Sequence, residues 1–171
     1  MDARMDARIA ALVDALVDAY RAIGAREMAD VPICNAALSV EAVGFREHGP
    51  GWIGCVIAPW FLNAVLIPRD PAPWAALLDG DRTEIALPSG AYRFTAARMP
   101  GLGDGLETLL VIPLVSAMNV LSGQEEARAA AALALDRLLA APEPEAVPET
   151  PVAKPETPAL SRRSLFRGGR R

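Results

Sequence analysis

Apolar residues recur every three or four positions along the first part of the chain. They include Ile9, Leu12, Leu16 and Tyr20, with Asp and Arg residues between them. This spacing places the apolar side chains on one face of an α-helix. Gly24 offers a position for the helix to end, since glycine is common just beyond a helix C-terminus. The pattern predicts an N-terminal helix that packs one face against a core.

The spacing of apolar residues changes after Leu38. LSVEAVGF alternates, EHGPG supplies turn residues, and WIGCVIAP continues as an apolar run, so this region predicts a β-hairpin. Pro59 ends the second strand because proline donates no ladder hydrogen bond. A further short apolar run covers residues 64–68, and the proline-rich segment RDPAPW after it breaks regular structure, with Trp74 as an anchor.

The second half of the domain predicts more strands and one more helix. Residues 84–87 and 92–95 flank a PSG turn and form a second hairpin, and residues 106–112 form a further strand. Ser122 and Glu125 have the spacing of a capping box, and an alanine-rich run extends from there to Leu139. The predicted fold class is α+β, an antiparallel β-sheet flanked by an N-terminal and a C-terminal helix.

The composition changes after Ala140. The segment APEPEAVPETPVAKPETPA is rich in proline and acids and cannot bury enough apolar area to offset the entropy of ordering. The chain closes with SRRSLFRGGRR, where Leu165 and Phe166 interrupt a run of arginines. We therefore predict a domain over residues 1–140, a disordered Pro-rich linker over 141–160 and a basic tail over 161–171.

Charge narrows the classes of partner. The formal net charge is −4, and the tail carries five arginines, so the rest of the chain sums to −9. An acidic body repels phosphate, which argues against nucleic acid and favours positively charged peptides. No apolar run reaches the roughly 18 residues of a membrane-spanning helix. The acids in MDARMDARIA argue against a signal peptide, and we expect a cytoplasmic protein.

The candidate chemistry is limited to two cysteines and one histidine. Cys34 and Cys55 form no CxxC pair, so we expect no metal and no cofactor. Cys55 lies seven residues after His48, which allows an alternative function as a Cys-dependent enzyme that uses these two residues. Nothing supplies a third, orienting group, and a thiol among Ile53 and Val56 has a pKa raised by desolvation. Buried packing is the preferred interpretation.

Four sequence blocks carry a resemblance to a known family. The blocks GWIGCVIAPWFLNAV, LPSGAYRFTAARM, PLVSAMNVLSGQEEARA and RRSLFRGG follow one another in the order and spacing of that family. The chain thus resembles the HybE/HupJ family of [NiFe]-hydrogenase assembly chaperones. The resemblance implies a cytoplasmic maturation factor, with no enzymatic turnover, that attends hydrogenase subunits before twin-arginine export and delays transport until cofactors are in place.

The resemblance also implies partners. The first is a hydrogenase subunit precursor, either the small subunit that bears the twin-arginine signal, the large subunit, or both. Other maturation factors, including a separate rubredoxin-like protein, are further partners that it allows. Some relatives are fused to a rubredoxin or encoded beside one, but this chain lacks the paired CxxC motifs of an iron site.

Partner binding is expected in two places, the first sequence block and the tail. In the block, Trp60 and Phe61 follow a proline at a strand end, where large aromatics become surface anchors. Whether the tail docks on its own domain or on the partner stays open. The predicted partner-binding residues are Trp52, Cys55, Pro59, Trp60, Phe61, Arg162, Arg163, Leu165, Phe166 and Arg167.

Overall fold

The computed structural model describes residues 3–28, 31–99, 102 and 107–141. These residues form a six-stranded antiparallel sheet with one helix on each face, which confirms the predicted α+β class. The strands lie in the order β1-β2-β3-β6-β5-β4. In chain order the elements are α1 (Ala3–Ile23), a π-helical turn (Gly24–Met28), β1 (Glu41–His48), β2 (Gly51–Ala58), β3 (Phe61–Pro68), a 3-10 turn (Ala72–Trp74), β4 (Arg82–Leu87), β5 (Gly90–Arg98), β6 (Thr108–Val115), a 3-10 turn (Met118–Val120) and α2 (Gln124–Leu139).

Strand β2 lies between the edge strand β1 and β3 and is buried on both faces. Ile53 and Cys55 point into the core beneath α2, whereas Trp52 and Val56 point into a second core beneath α1. Successive side chains of a strand alternate between the two faces, so a strand covered on both sides needs apolar residues throughout. This double burial explains why WIGCVIA reads as an unbroken apolar run.

The sheet curves around α2. Arg46 of the edge strand β1 pairs with Asp136 at 3.1 Å, and Ser89, in the turn from the other edge strand, donates a 2.7 Å hydrogen bond to the carbonyl of Leu138. Both edges therefore contact the last turns of one helix. Strand β5 pairs with β6 only as far as Val111, because Pro113 has no N–H with which to extend that ladder.

Several element boundaries differ from the predicted ones. Strand β3 begins at Phe61, three residues before the apolar run that predicts it, because the partner register with β2 continues to the turn. Strand β6 covers Thr108–Val115 instead of 106–112. Helix α1 ends at Ile23, directly before Gly24 as predicted, and a π-helical turn that the sequence does not predict follows as far as Met28. The predicted linker and tail lie outside the described residues.

The predicted capping box is wrong in detail. Helix α2 begins at Gln124 with Gly123 at the N-cap, so Ser122 lies one position too early to cap it. The backbone N–H and the hydroxyl of Ser122 instead donate to the Glu126 carboxylate, at 2.7 and 2.6 Å. Glu125 pairs with Arg128. The helix itself is where the sequence predicts it, since alanine propensity and the buried stripe do not depend on the cap.

Candidate partner-binding site

Three segments from distant parts of the chain meet at one end of the sheet, which we call the Trp60 end. The first is the β2–β3 turn with Pro59 and Trp60, and the second is the connection from α1 to β1. The third is the 3-10 turn Met118–Val120 after β6, whose Val115 pairs with Leu62 at the start of β3. All three are loops held by rigid strands, the usual setting of a binding surface.

Asn35 joins these segments. Its backbone N–H donates to the carbonyl of Pro59 at 2.8 Å. Its side-chain amide donates to the carbonyls of Met118 and Leu121 at 3.0 and 2.8 Å, and its side-chain oxygen accepts from the N–H of Ala37 at 2.9 Å. An asparagine amide offers two donors and one acceptor group, and here all of them are used. One side chain thus fixes the relative position of the three loops.

An apolar groove of about 370 Å³ opens between α1 and the β2–β3 turn. A second groove of about 460 Å³ adjoins it at Cys34 and runs between Ile33 and the 3-10 turn. Ile33 and Val120, which lie at this end of the sheet, are exposed by 61% and 64% and add apolar surface beside the grooves. The first groove, called the apolar groove below, is lined by Arg21, Gly24, Met28, Val31, Cys34, Ala36, Val40, Pro59 and Trp60.

The π-helical turn after α1 positions Trp60. A Cβ atom on Gly24 would lie 3.1 Å from the Trp60 ring, so a side chain at this position would force the indole to shift by a few tenths of an ångström. The other side of the indole meets Phe61 edge-on, with ring centroids 5.7 Å apart, and Phe61 meets Tyr20 edge-on at 5.1 Å. Burial raises the pKa of Tyr20 to about 12, so its phenol stays neutral. Trp60 is half-buried and held in one orientation at the groove wall.

An acidic groove of about 460 Å³ lies next to the apolar groove, between α1 and β1. Asp14, Asp18 and Glu41 line it, and Arg21 lines both grooves, so the two form one continuous strip. Arg21 pairs with Asp18 at 3.1 Å. The hydrogen bond from Arg128 holds the pKa of Glu41 below its usual range. Within the described residues no ion pair reaches Asp14, which is free to bind an added cation.

The predicted site residues fall into two groups in the structure. Pro59, Trp60 and Phe61 lie together at the Trp60 end, and none of the three is fully buried. Trp52 is only 4% exposed and Cys55 is fully buried, so neither side chain presents surface to a partner in this fold. The assignment of these two as contacts is corrected accordingly, because a strand between two helices hides both its faces. The predicted tail residues lie outside the described residues.

The arrangement of Cys55 and His48 does not fit a catalytic pair. The β1–β2 register places Val43 opposite Cys55 and places His48 opposite Gly51, at the far end of the hairpin. Burial raises the pKa of Cys55 to about 12, and its sulfur contacts the carbonyl of Ala131 at 3.5 Å. A protonated thiol is a poor nucleophile.

In the described part of the chain, no helix is long and apolar enough to cross a membrane. Among the same residues, no group of three His, Cys, Asp or Glu side chains is arranged to hold a metal ion.

Sequence reasoning missed Asn35, Ile33 and Val120. The segment VPICNAAL carries no periodicity, and the partners of Asn35 lie more than eighty residues away, so no local pattern reveals them. Two weak signals exist. An asparagine between a helix and a strand favours turn formation. Ile33, beside Pro32, places an apolar side chain in a segment without helical or strand periodicity.

Comparisons with known proteins fit this architecture. The sequence matches the family described as "[NiFe]-hydrogenase assembly, chaperone, HybE" over residues 11–168. It is 40% identical to "Hydrogenase expression/formation protein HoxT" of Azotobacter vinelandii over 86% of this chain and 89% of that protein. It is 38% identical to "Hydrogenase expression/formation protein HupJ" of Bradyrhizobium diazoefficiens over 88% of this chain and 83% of that protein.

Two further similarities concern the fold and a longer relative. The solution structure of HybE from Escherichia coli superposes with a TM-score of 0.58 and 25% identity, over 94% of this chain and 91% of that one. A partial match, 39% identical over 49% of this chain, covers 30% of "Probable rubredoxin HupJ" of Rhodobacter capsulatus. This chain therefore spans under a third of that relative.

The family match extends over most of the chain, and the full-length relatives are similar from one end of the folded domain to the other. The family is one of assembly chaperones and not of enzymes, which agrees with a buried, protonated Cys55. By sequence and by fold, this chain belongs to the HybE family of [NiFe]-hydrogenase assembly chaperones.

Proposed function

We propose that this chain holds a hydrogenase subunit precursor in the cytoplasm, at the Trp60 end of its sheet, and delays export until assembly is complete. The observation that carries the proposal is the strip in which an apolar groove continues into an acidic one through Arg21. A surface of this kind complements a peptide that is both basic and apolar. The family supplies the class of partner.

The small-subunit precursor is the favoured client because its twin-arginine signal has this chemistry. Arginine side chains would face Asp14 and Asp18, and the apolar part of the signal would pack on Trp60, Met28 and Val31. Opposite charge accelerates the encounter, while apolar anchors in a desolvated groove slow dissociation. A signal held in this way is inaccessible to the export machinery, which accounts for the delay.

The chain offers matched variants to test the site. Ile33→Ser and Val120→Ser remove exposed apolar surface beside the grooves, and Trp60→Ala removes one wall of the apolar groove. Leu78→Ser and Leu133→Ser remove surface of similar exposure, 68% and 54%, elsewhere on the molecule. Trp60→Ala should weaken binding of the small-subunit precursor about ten-fold or more, since truncation of a central aromatic anchor costs about 1.4 kcal/mol or more. The two leucine controls should bind as the unchanged chain does.

The measurement is titration calorimetry with the small-subunit precursor, with and without its signal peptide. Circular dichroism confirms that each variant is folded. Equal affinity with and without the signal would remove the signal from the proposal and make the large-subunit precursor the leading client. Unchanged affinity in Trp60→Ala, Ile33→Ser and Val120→Ser would place the binding surface elsewhere.

A further inference from the structure

We infer that the chain's own basic tail, residues 161–171, occupies the strip at the Trp60 end while no client is bound. Leu165 and Phe166 enter the apolar groove, and Arg162 and Arg163 lie on the acidic groove. The inference rests on the proposed function, since it assigns a second occupant to the same strip. A client must then displace the tail before it can bind the strip.

The tail and the proposed client share one chemistry. Arg162 and Arg163 form an arginine pair, and two large apolar residues, Leu165 and Phe166, follow after a single serine. A twin-arginine signal likewise joins an arginine pair to apolar residues. Two residues of extended chain span roughly 7 Å, so the arginine pair and the apolar pair reach adjacent grooves together. A surface that accepts the signal therefore accepts this tail.

Charge favours the docked state. Residues 1–140 hold seventeen acidic and eleven basic residues, a net charge of −6, and the tail contributes five arginines without an acid. Asp14 supplies a carboxylate that no ion pair reaches among the described residues. The family match continues to residue 168 and so includes the arginine and apolar pairs of the tail. Those positions belong to the unit that the family shares.

The tether is long enough. Helix α2 ends at Leu139, and the linker of residues 141–160 follows. Twenty residues of proline-rich chain extend to roughly 60 Å. A domain of 140 residues is only about 37 Å across, from the usual scaling of radius of gyration. The tail can therefore reach the strip from wherever α2 ends on the surface.

Tethering also sets the size of the effect. A tether whose reach matches the span gives an effective concentration of up to about 1 mM, so a tail with an intrinsic Kd of about 0.1 mM would fill the strip in roughly nine molecules of ten. A client then binds about ten-fold more weakly than it would to an open strip. A full-length signal peptide that binds tightly still displaces the tail despite this loss of affinity. A basic peptide that binds weakly does not displace it.

The test uses full-length chains that differ only in the tail. Leu165→Ser/Phe166→Ser removes the apolar pair. Arg162→Glu/Arg163→Glu reverses the arginine pair, and Arg170→Glu/Arg171→Glu makes the same change in net charge at the very end. The first readout is the NMR signal of the Trp60 indole N–H, recorded without any partner. We expect it to shift in the first two variants and to stay unchanged in the third.

The second readout is calorimetry with a synthetic peptide of the small subunit's twin-arginine signal, which should bind the first two variants about ten-fold more tightly. An unchanged Trp60 signal in all variants would overturn self-occupancy, while the proposed function would still stand or fall by Trp60→Ala. Weaker peptide binding in the first two variants would show that the tail contacts the client and would also overturn it. A Trp60 signal that moves toward the tail-variant position on hundredfold dilution would assign the tail to a second copy instead.

Discussion

The side chain of Asn35 should stabilise the Trp60 end far more than its half-exposed position suggests. Asn35→Ala removes the donors to the carbonyls of Met118 and Leu121 and the acceptor for the N–H of Ala37. Ala37 is exposed, so water replaces that bond at little cost. Met118 and Leu121 are buried, and the Met118 carbonyl keeps the backbone N–H of Leu121 as a donor. The Leu121 carbonyl loses the Asn35 amide, so the substitution costs about 1 to 3 kcal/mol.

Urea unfolding followed by circular dichroism measures this cost. The m-value, which is the dependence of the unfolding free energy on urea concentration, should stay constant because the denatured chain is unchanged. The urea concentration at the midpoint should fall. Asn119→Ala is the matched control, because Asn119 lies at the same end, is exposed, and makes no side-chain hydrogen bond within the described residues. A loss below about 0.5 kcal/mol in Asn35→Ala, equal to that of the control, would refute the role of Asn35 as the joint between the loops.

The same substitution should weaken client binding although Asn35 is not assigned a contact with the client. The α1–β1 connection forms one wall of the apolar groove, and the Asn35 side chain ties this connection to the 3-10 turn after β6. The bond from the Asn35 backbone N–H to Pro59 is kept in the variant. A looser groove must be ordered again on binding, which lowers affinity. Calorimetry without urea, where the variant is folded, measures this loss of client affinity separately from the loss of stability.

Three further outcomes are expected. Cys55, with its pKa raised to about 12 by burial, should resist alkylation at pH 8 until denaturant is added, and Cys55→Ala should leave client binding intact; mass spectrometry and calorimetry check the two statements. Gly54→Ala should destabilise the fold by about 1 to 3 kcal/mol, because the new Cβ would lie 2.4 Å from the Phe45 ring, and the penalty should shrink in a Phe45→Ala background. The hydrogen bond from Arg128 lowers the pKa of Glu41 in the folded state. The ionised Glu41 therefore stabilises the fold fully above its unfolded pKa, and this stabilisation is lost as the pH falls through the folded pKa. Between pH 6 and 3, the urea midpoint should fall less in Glu41→Gln than in the unchanged chain.

Much of the fold could be predicted because its signals are local. The helix stripe of Ile9 to Tyr20 and the turn residues around Gly49 and Gly90 each depend on a few neighbouring residues. The strand boundaries depend on pairing, which explains why β3 starts at Phe61 and not at Ala64. The order of the strands and the curvature around α2 arise from contacts between residues far apart in sequence, and no periodicity encodes them.

The candidate site could be predicted only in part, for a similar reason. Pro59 marks a strand end, so Trp60 and Phe61 beside it are identifiable as anchors. The same block contains Trp52 and Cys55, but an apolar run does not reveal that helices cover both faces of its strand. The neighbouring walls come from the loops around Asn35 and Met118, which become adjacent only when β6 pairs with β3.

The bulge in β1 affects whether an assembly chaperone aggregates with incompletely folded polypeptides. Strand β1 is a sheet edge, and its ladder is interrupted at Gly44, where φ is +67° and the register shifts between Val43 and Arg46. The opposite edge, β4, is short and exposes Arg82 and Glu84. Irregular or charged edges do not template the addition of another strand. The molecule can therefore stay close to extended, incompletely folded chains without growing into a shared sheet, and its contacts with them stay reversible.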